Sequence, residues 1–242
     1  VRRAFLNFSK IPNKRFAAEN TIFEVIFMKL LSVLFIAATL ILPQAKSDRL
    51  ILVNKQHPCS AEYEAYAKEN LAPVFHTRAD GRPAQYLQKD AACALDALLY
   101  SAEKAGYDIS VTSAYRSREY QAEIFNTRRA MHVSAGKDND EAVRLTERYV
   151  ALPGYSEHHT GLAVDMHSMT SAEVSFADTE EFRWLCENAP KYGFILRYPK
   201  GKEDITGYAF EPWHFRYVGQ CAVEIANSGL TLEEYLTLQK NQ

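Results

Sequence analysis

The apolar positions along the chain repeat with two different periods. Between residues 84 and 105, Leu87, Ala91, Ala94, Leu95, Leu98 and Ala102 recur at three- and four-residue spacing, the period of a helix that buries one face, and Gly106 then ends it. Residues 108–114 (DISVTSA) alternate instead and are rich in β-branched side chains, which predicts a strand. Helical spacing returns from Ser117 to about Ser134, with Ser117 as cap, and again over 138–150, with Asp138 or Asn139 at its start. Strands are predicted at 161–167, 194–197 and 213–218, with a helix over 178–191 between the first two. Two short helices, about 219–228 and 231–239, close the pattern, the second capped by Thr231. Helices and strands mix without the regular alternation of a doubly wound sheet, which predicts an α+β fold. Residues 50–242 form one compact domain in this reading, a small mixed or antiparallel sheet flanked by helices, with no repeat or linker inside it.

Composition narrows the class. Among 242 residues, 47% hydrophobic and 12% aromatic side chains with 10 Gly and 9 Pro exclude collagen-like, low-complexity and disordered chains. The formal charge of −2 hides an asymmetry: residues 1–49 hold eight Lys/Arg against three acids, leaving 20 basic and 27 acidic residues in the remainder. An acidic body gives no reason to expect a nucleic-acid partner.

The basic leader has its own pattern. Met28-Lys29 precedes an apolar run over 30–42, followed by Pro43-Gln44-Ala45, the layout of a secretory signal. Thirteen residues fall short of the ~20 that span a bilayer as a helix, so no membrane span is expected in the mature form. Residues 28–45 are thus expected to be a signal peptide and 1–27 an over-extended start or long preceding segment. The protein is expected to be exported, to the periplasm or to the extracellular side and cell envelope, as a monomer. Cys59, Cys93, Cys186 and Cys221 contain no C-x-x-C pair; an even count in an exported chain favours at least one disulfide, with three connectivities open.

The densest polar cluster is Pro153-Gly-Tyr-Ser-Glu-His-His-Thr-Gly-Leu-Ala-Val-Asp-Met-His167, which offers His158 and Asp165. A second, Phe210-Glu-Pro-Trp-His-Phe-Arg216, offers Glu211 and His214. Two histidines and one carboxylate suit a catalytic Zn2+, which keeps a fourth position for water, and a further carboxylate can take that water's proton. The chemistry that follows is amide hydrolysis, in a cleft.

Ser156-Glu-His-His-Thr-Gly-Leu-Ala-Val-Asp165 resembles the S-x-H-x-x-G-x-A-x-D signature of VanY-type D-alanyl-D-alanine carboxypeptidases. Glu211-Pro-Trp-His214 resembles that family's second signature, and Thr112-Ser-Ala-Tyr-Arg-Ser117 with Tyr120-Gln121 a third element, in the same order along the chain. The resemblance spans roughly residues 84–238. It implies His158, Asp165 and His214 as zinc ligands, Glu211 as general base, and Arg116 as the arginine that holds the substrate or its oxyanion. It further implies Gln121 and Ser156 as residues that hydrogen-bond the peptide end. The implied substrate is the D-alanine end of peptidoglycan stem peptides. The 112–121 element and the Ser-Glu-His-His-Thr-Gly loop look closer to relatives making an L,D cut on tetrapeptides than to those making a D,D cut on pentapeptides. An endopeptidase or a catalytically silent wall-binding module are the alternatives. Physically, Pro212 forces an extended backbone that lets Glu211 face the water without binding metal.

Other conspicuous residues carry plainer readings. His159 and His167 are expected beside the ligands or at the surface, and His57, His76 and His132 at the surface. Trp213 and Tyr155 are candidates for cleft or core, Trp184 for packing. Arg197, Lys200 and Lys202 read as a solvated loop, with a basic rim as the alternative.

Overall fold

The computed structural model describes residues 49–75, 83–169 and 171–241, all within one compact unit, Lys46–Gln242. The leader expected at 1–27 and 28–45 lies outside the described residues, as does His76. Among the described residues no helix is long and apolar enough to cross a membrane.

Helices α1 (Ala61–Glu69), α2 (Lys89–Lys104), α3 (Arg118–Ser134), α4 (Asn139–Thr146), α5 (Glu180–Asn188), α6 (Glu203–Thr206), α7 (Ala222–Ser228) and α8 (Leu232–Lys240) surround two small antiparallel sheets. One pairs β1 (Leu71–Pro73) with β2 (Tyr86–Gln88); the other orders β3 (Ser110–Ser113), β4 (Ala163–His167), β6 (His214–Tyr217) and β5 (Phe194–Leu196) side by side. The fold is α+β, and both sheets are antiparallel throughout.

Local chemistry starts the helices where the sequence indicates. The Ser117 hydroxyl accepts from Tyr120 N at 3.2 Å, Asp138 from Glu141 N at 2.8 Å, and Thr231 exchanges hydrogen bonds with Glu234 in a capping box. The differences lie at element ends. The helix expected from residue 84 starts at Lys89, because Tyr86–Gln88 is taken up as β2 by a partner strand about fifteen residues earlier. Leu87 is fully buried in either conformation, so its place in the apolar stripe did not distinguish them. The helix expected over 178–191 ends at Asn188; Pro190 cannot continue the ladder, and a 3₁₀ turn over Ala189–Tyr192 stops at Gly193. The helix expected over 138–150 closes at Thr146.

β4 lies inside the four-stranded sheet and is buried along its whole length. Its alternate residues Val164 and Met166, with Val111, Phe194, Phe215 and Tyr217, enter the main apolar core beneath α2, where Leu95, Leu98 and Leu99 meet them. Asp165, His214 and Arg216 take the opposite positions of the same strands. A second core, with Ile195, Val218, Ile225, Leu232 and Tyr235, packs α7 and α8 near Arg216.

All four cysteines are free, contrary to the expected bridge. Cys93 sits exposed on α2 and Cys186 exposed on α5, while Cys221 is buried in the second core and the amide of buried Cys59 is tied to the Gly154 carbonyl at 2.8 Å.

Candidate active site and metal centre

Three segments bring the polar cluster together. The first is a 3₁₀ turn, Glu157–Thr160, capped by the Ser156 hydroxyl, which accepts from His158 N at 3.3 Å. The turn ends at Gly161, whose φ of +65° and close approach to Leu71 Cδ2 (3.1 Å from where a Cβ would stand) call for glycine. The chain then enters β4, which carries Asp165, and β6 begins directly opposite, with His214 paired to Asp165 in register. Pro212 does not extend the approach to β6. It occupies the second position of a turn closed by His214 N to Glu211 O at 3.2 Å, and this turn folds the Glu211 carboxylate back to 3.7 Å from His214 Nδ1.

His158, Asp165 and His214, all buried, present ligand atoms within 4.8 Å of one another. Asp165 Oδ1 stands 3.4 Å from His158 Nε2 and 3.2 Å from His214 Nδ1, with the two rings nearly perpendicular at 87°. The far nitrogens show why these atoms face inward. His158 Nδ1 lies 2.6 Å from the Ala114 carbonyl, which can only accept, so that nitrogen carries the proton and Nε2 is a bare lone pair. His214 Nε2 donates to the Glu157 carboxylate at 3.3 Å, leaving Nδ1 bare in the neutral ring. Asp165 Oδ1 is buried and has no hydrogen-bond donor. Three converging lone pairs in a dry site repel one another unless a cation or proton sits among them, so the donor set fits a divalent metal with one coordination position left open.

Charge around the cluster follows from burial and partners. Burial pushes Glu211 up to about 8, against the pull of His214, and leaves its Oε1 without a hydrogen-bond partner. Burial lowers His158 to about 4 in the metal-free protein. It acts the same way on His214, but the carboxylates of Asp165 and Glu157 on either side of the ring outweigh it and hold it at about 9 in the metal-free protein. Burial alone would lift Asp165; the neighbouring His158 and Arg116 reverse this and keep it well below the usual carboxylate range.

Seven residues singled out from the sequence line one cleft of about 480 Å3: Arg116, Gln121, Ser156, His158, Asp165, Glu211 and His214. Arg116 is already engaged there. It pairs with Asp165 Oδ2, donates from Nε to the Ser113 hydroxyl at 2.6 Å and from Nη1 to Gln121 Oε1 at 3.3 Å. Gln121 in turn donates to the Ala151 carbonyl at 2.8 Å, so its amide braces Arg116 against the chain beyond α4. Trp213 lines the cleft with Tyr149, ring centroids 6.4 Å apart, and His132 also reaches it; Tyr155 does not.

His159 and His167 stay out of the ligand set, and both are buried. His159 accepts from Gly154 N at 3.0 Å and donates to the Arg116 carbonyl at 2.8 Å, bracing two loops. His167 packs edge-on to Phe176. Trp184 packs on the main core against Tyr107, and His57 is exposed, its ring bonded to Asn54.

The residues that sequence reading missed sit behind His214. Glu157 is wholly buried and accepts from Arg197 Nε and Arg216 Nη1, both at 2.7 Å and both 0% exposed. Burial would raise this carboxyl, but the two guanidiniums hold it well below the usual range, so it meets His214 as an anion. Arg197 is therefore no part of a solvated loop or basic rim: it links Glu157 to Glu233 of α8 at 2.6 Å. Lys202 pairs with Glu234 at 3.0 Å, and Lys200 is exposed. An arginine inside the strand His-Phe-Arg-Tyr and a glutamate inside the histidine loop were the available signals for a buried ion cluster.

Comparison with known proteins places the chain in a family. The family profile described as VanY: D-alanyl-D-alanine carboxypeptidase matches residues 84–220. A D-alanyl-D-alanine carboxypeptidase of Enterococcus faecalis (strain ATCC 700802 / V583) is 41% identical over 193 residues, 79% of this chain and 66% of that protein. The solved LdcB LD-carboxypeptidase, whose structure is described as revealing the basis of peptidoglycan recognition, is 38% identical with a TM-score of 0.68, over 80% of this chain and 88% of that one. A vancomycin-resistance D,D-pentapeptidase VanY, solved as a mutant with Zn(II), is 37% identical with a TM-score of 0.65, over 78% and 99%. The chain belongs to the VanY family of D-alanyl-D-alanine carboxypeptidases.

Proposed function

We propose that this protein is a zinc-dependent carboxypeptidase that removes the C-terminal D-alanine from peptidoglycan stem peptides, with the L,D cut on tetrapeptides favoured over the D,D cut on pentapeptides. The observation that carries the reading is the convergence of three ligand atoms, on His158, Asp165 and His214, beside the buried Glu211 in one cleft. His158 Nε2, Asp165 Oδ1 and His214 Nδ1 would hold the zinc. When bound, zinc supplies Lewis-acid chemistry, polarising a carbonyl and acidifying water.

The protein's own residues supply the rest. Glu211, pushed toward neutral pH by burial, takes a proton from the attacking water and returns it to the departing amine of D-alanine. Arg116, held from behind by Ser113 and Gln121, presents positive charge to the terminal carboxylate or the carbonyl oxygen. Ser156 and Gln121 border the peptide end, and each also fixes a neighbour, His158 and Arg116 respectively. Glu157 holds His214 in the tautomer whose Nδ1 faces the cluster. The L,D preference draws on the 112–121 element and the histidine loop, and on the likeness to LdcB. The leader at 28–45 would carry the protein to the cell wall, where it acts as a monomer.

The test incubates the purified protein with defined tetrapeptide and pentapeptide stems and follows alanine loss by mass spectrometry, with and without chelator and beside Glu211→Ala. Loss from the tetrapeptide that needs both metal and Glu211 is the expected result. Loss from the pentapeptide alone reassigns the cut as D,D; zinc binding with neither stem shortened leaves an endopeptidase or a silent binding module.

A further inference from the structure

The cleft does not stop at the metal ligands. Gln121, Ile124, Arg128 and His132 all line it, at spacings of three and four that place them on one face of α3. At 1.5 Å per residue the groove follows α3 for about 16 Å away from Gln121, and Arg128 stands about 10 Å along it. Its other wall comes from the end of α4 and the chain after it, including Leu145, Arg148 and Tyr149.

The charge along this arm is one-sided. Arg116, at the inner end, is engaged with Asp165, and Arg197 and Arg216 are spent on Glu157. Arg128 and Arg148 are exposed and have no carboxylate partner among the described residues; Arg148 only lies over the Tyr149 ring, 5.9 Å from its centroid. Glu173, which accepts from the Ser171 hydroxyl, also lines the cleft and pairs with neither arginine. Free guanidiniums inside a groove, on a body that is otherwise acidic, are suited to an anionic ligand.

We propose that this outer arm binds the stem peptide upstream of the cut by pairing Arg128 and Arg148 with a carboxylate on its second or third residue. The inference builds on the carboxypeptidase reading above and adds the chemistry the substrate must carry. An extended peptide advances about 3.3 Å per residue, so the stretch of groove from Gln121 to Arg128 has room for about three residues. Two carboxylates lie within that reach in stem peptides: the free α-carboxylate of a γ-linked D-glutamate at the second position, and the side-chain carboxylate of diaminopimelate at the third.

Three synthetic tetrapeptide stems separate the two sources: free glutamate with lysine third, amidated glutamate with lysine third, and amidated glutamate with diaminopimelate third. In the unmodified protein the peptide lacking both carboxylates should show a KM about three- to tenfold higher than at least one of the others, and the gap should shrink at high salt. The peptide with the lower KM names the carboxylate. Arg128→Ala/Arg148→Ala should erase the gap, whereas Arg144→Ala, an exposed arginine of α4 outside the cleft, should preserve it. Equal KM values for all three peptides, or a gap that survives the double variant, overturn the proposal while leaving the carboxypeptidase reading intact. If no tetrapeptide is cut, the same three stems are compared as pentapeptides; if those stay whole too, that reading falls and titration calorimetry with the same peptides decides the arm: carboxylate-dependent binding lost in the double variant upholds it, and carboxylate-independent binding or none overturns it.

Discussion

Neighbouring residues of β4 meet opposite surroundings. Val164 and Met166 are sealed into the apolar core under α2, whereas Asp165 between them meets two histidines and an arginine. The apolar side is held by non-directional burial, where shape and volume matter and no single partner is essential. On the polar side each group depends on a named partner: Glu157 on two buried arginines, His214 on Glu157, Arg116 on Gln121. Where that chain of partners ends, two carboxylate oxygens are left over, Asp165 Oδ1 and Glu211 Oε1, and both lie in the cleft. One strand thus stabilises the fold with one set of side chains and offers reactive groups with the other.

That contrast can be broken from either side. The largest effect is expected for Glu211→Gln, which keeps the shape of the polar face but removes its proton carrier: kcat should fall about a hundred- to ten-thousandfold, with zinc binding retained by calorimetry. On the apolar side, Leu98→Ala opens a fully buried position under the sheet. It should cost about 2–5 kcal/mol in urea denaturation and leave the zinc affinity of the folded protein unchanged. A smaller loss, about ten- to a hundredfold in zinc affinity, is expected for Glu157→Gln, because His214 loses its anionic acceptor, Arg216 its counter-charge and Arg197 one of two. Competition with a chelating dye measures it; an unchanged affinity would remove Glu157 from the metal centre.

The gentlest probe is pH. In the metal-free protein Glu211 is raised to about 8 and His214 to about 9, so the native state holds protons that the unfolded chain releases near its ordinary glutamate and histidine values. His158, held at about 4, works in the opposite sense up to its ordinary histidine value, so stability should decline mainly between about pH 6.5 and pH 9, read by calorimetry as a falling melting temperature. Zinc should flatten or reverse this slope, since its ligands bind deprotonated and its affinity rises with pH. In strong acid Glu157 and Asp165, both held low, contribute in the opposite sense, and stability should be lost as they protonate.

Much of this architecture was legible along the chain. The α2 stripe, the caps at Ser117, Asp138 and Thr231, and the alternation in β3 depend on interactions within a few residues, and such patterns survive in one dimension. β2 was hidden because its partner, β1, lies outside any local window, and α1 because its apolar periodicity is weak. Among site residues, the ligand candidates stood in two dense polar motifs. Arg197 was misjudged because a charged residue beside a Tyr-Pro-Lys-Gly turn normally faces water, and only the buried Glu157 explains why it does not.

By itself, then, the sequence singled out the candidate residues, since donor types and the motifs that resemble the family's are properties of the chain. The tertiary structure decided what each could do. Register opposite β6 set Asp165 against His214, the Ala114 carbonyl and the Glu157 carboxylate chose which imidazole nitrogens face inward, and burial moved Glu211 toward neutral pH. All three depend on groups brought together from distant parts of the chain and on the exclusion of water, and neither is written in the order of the residues.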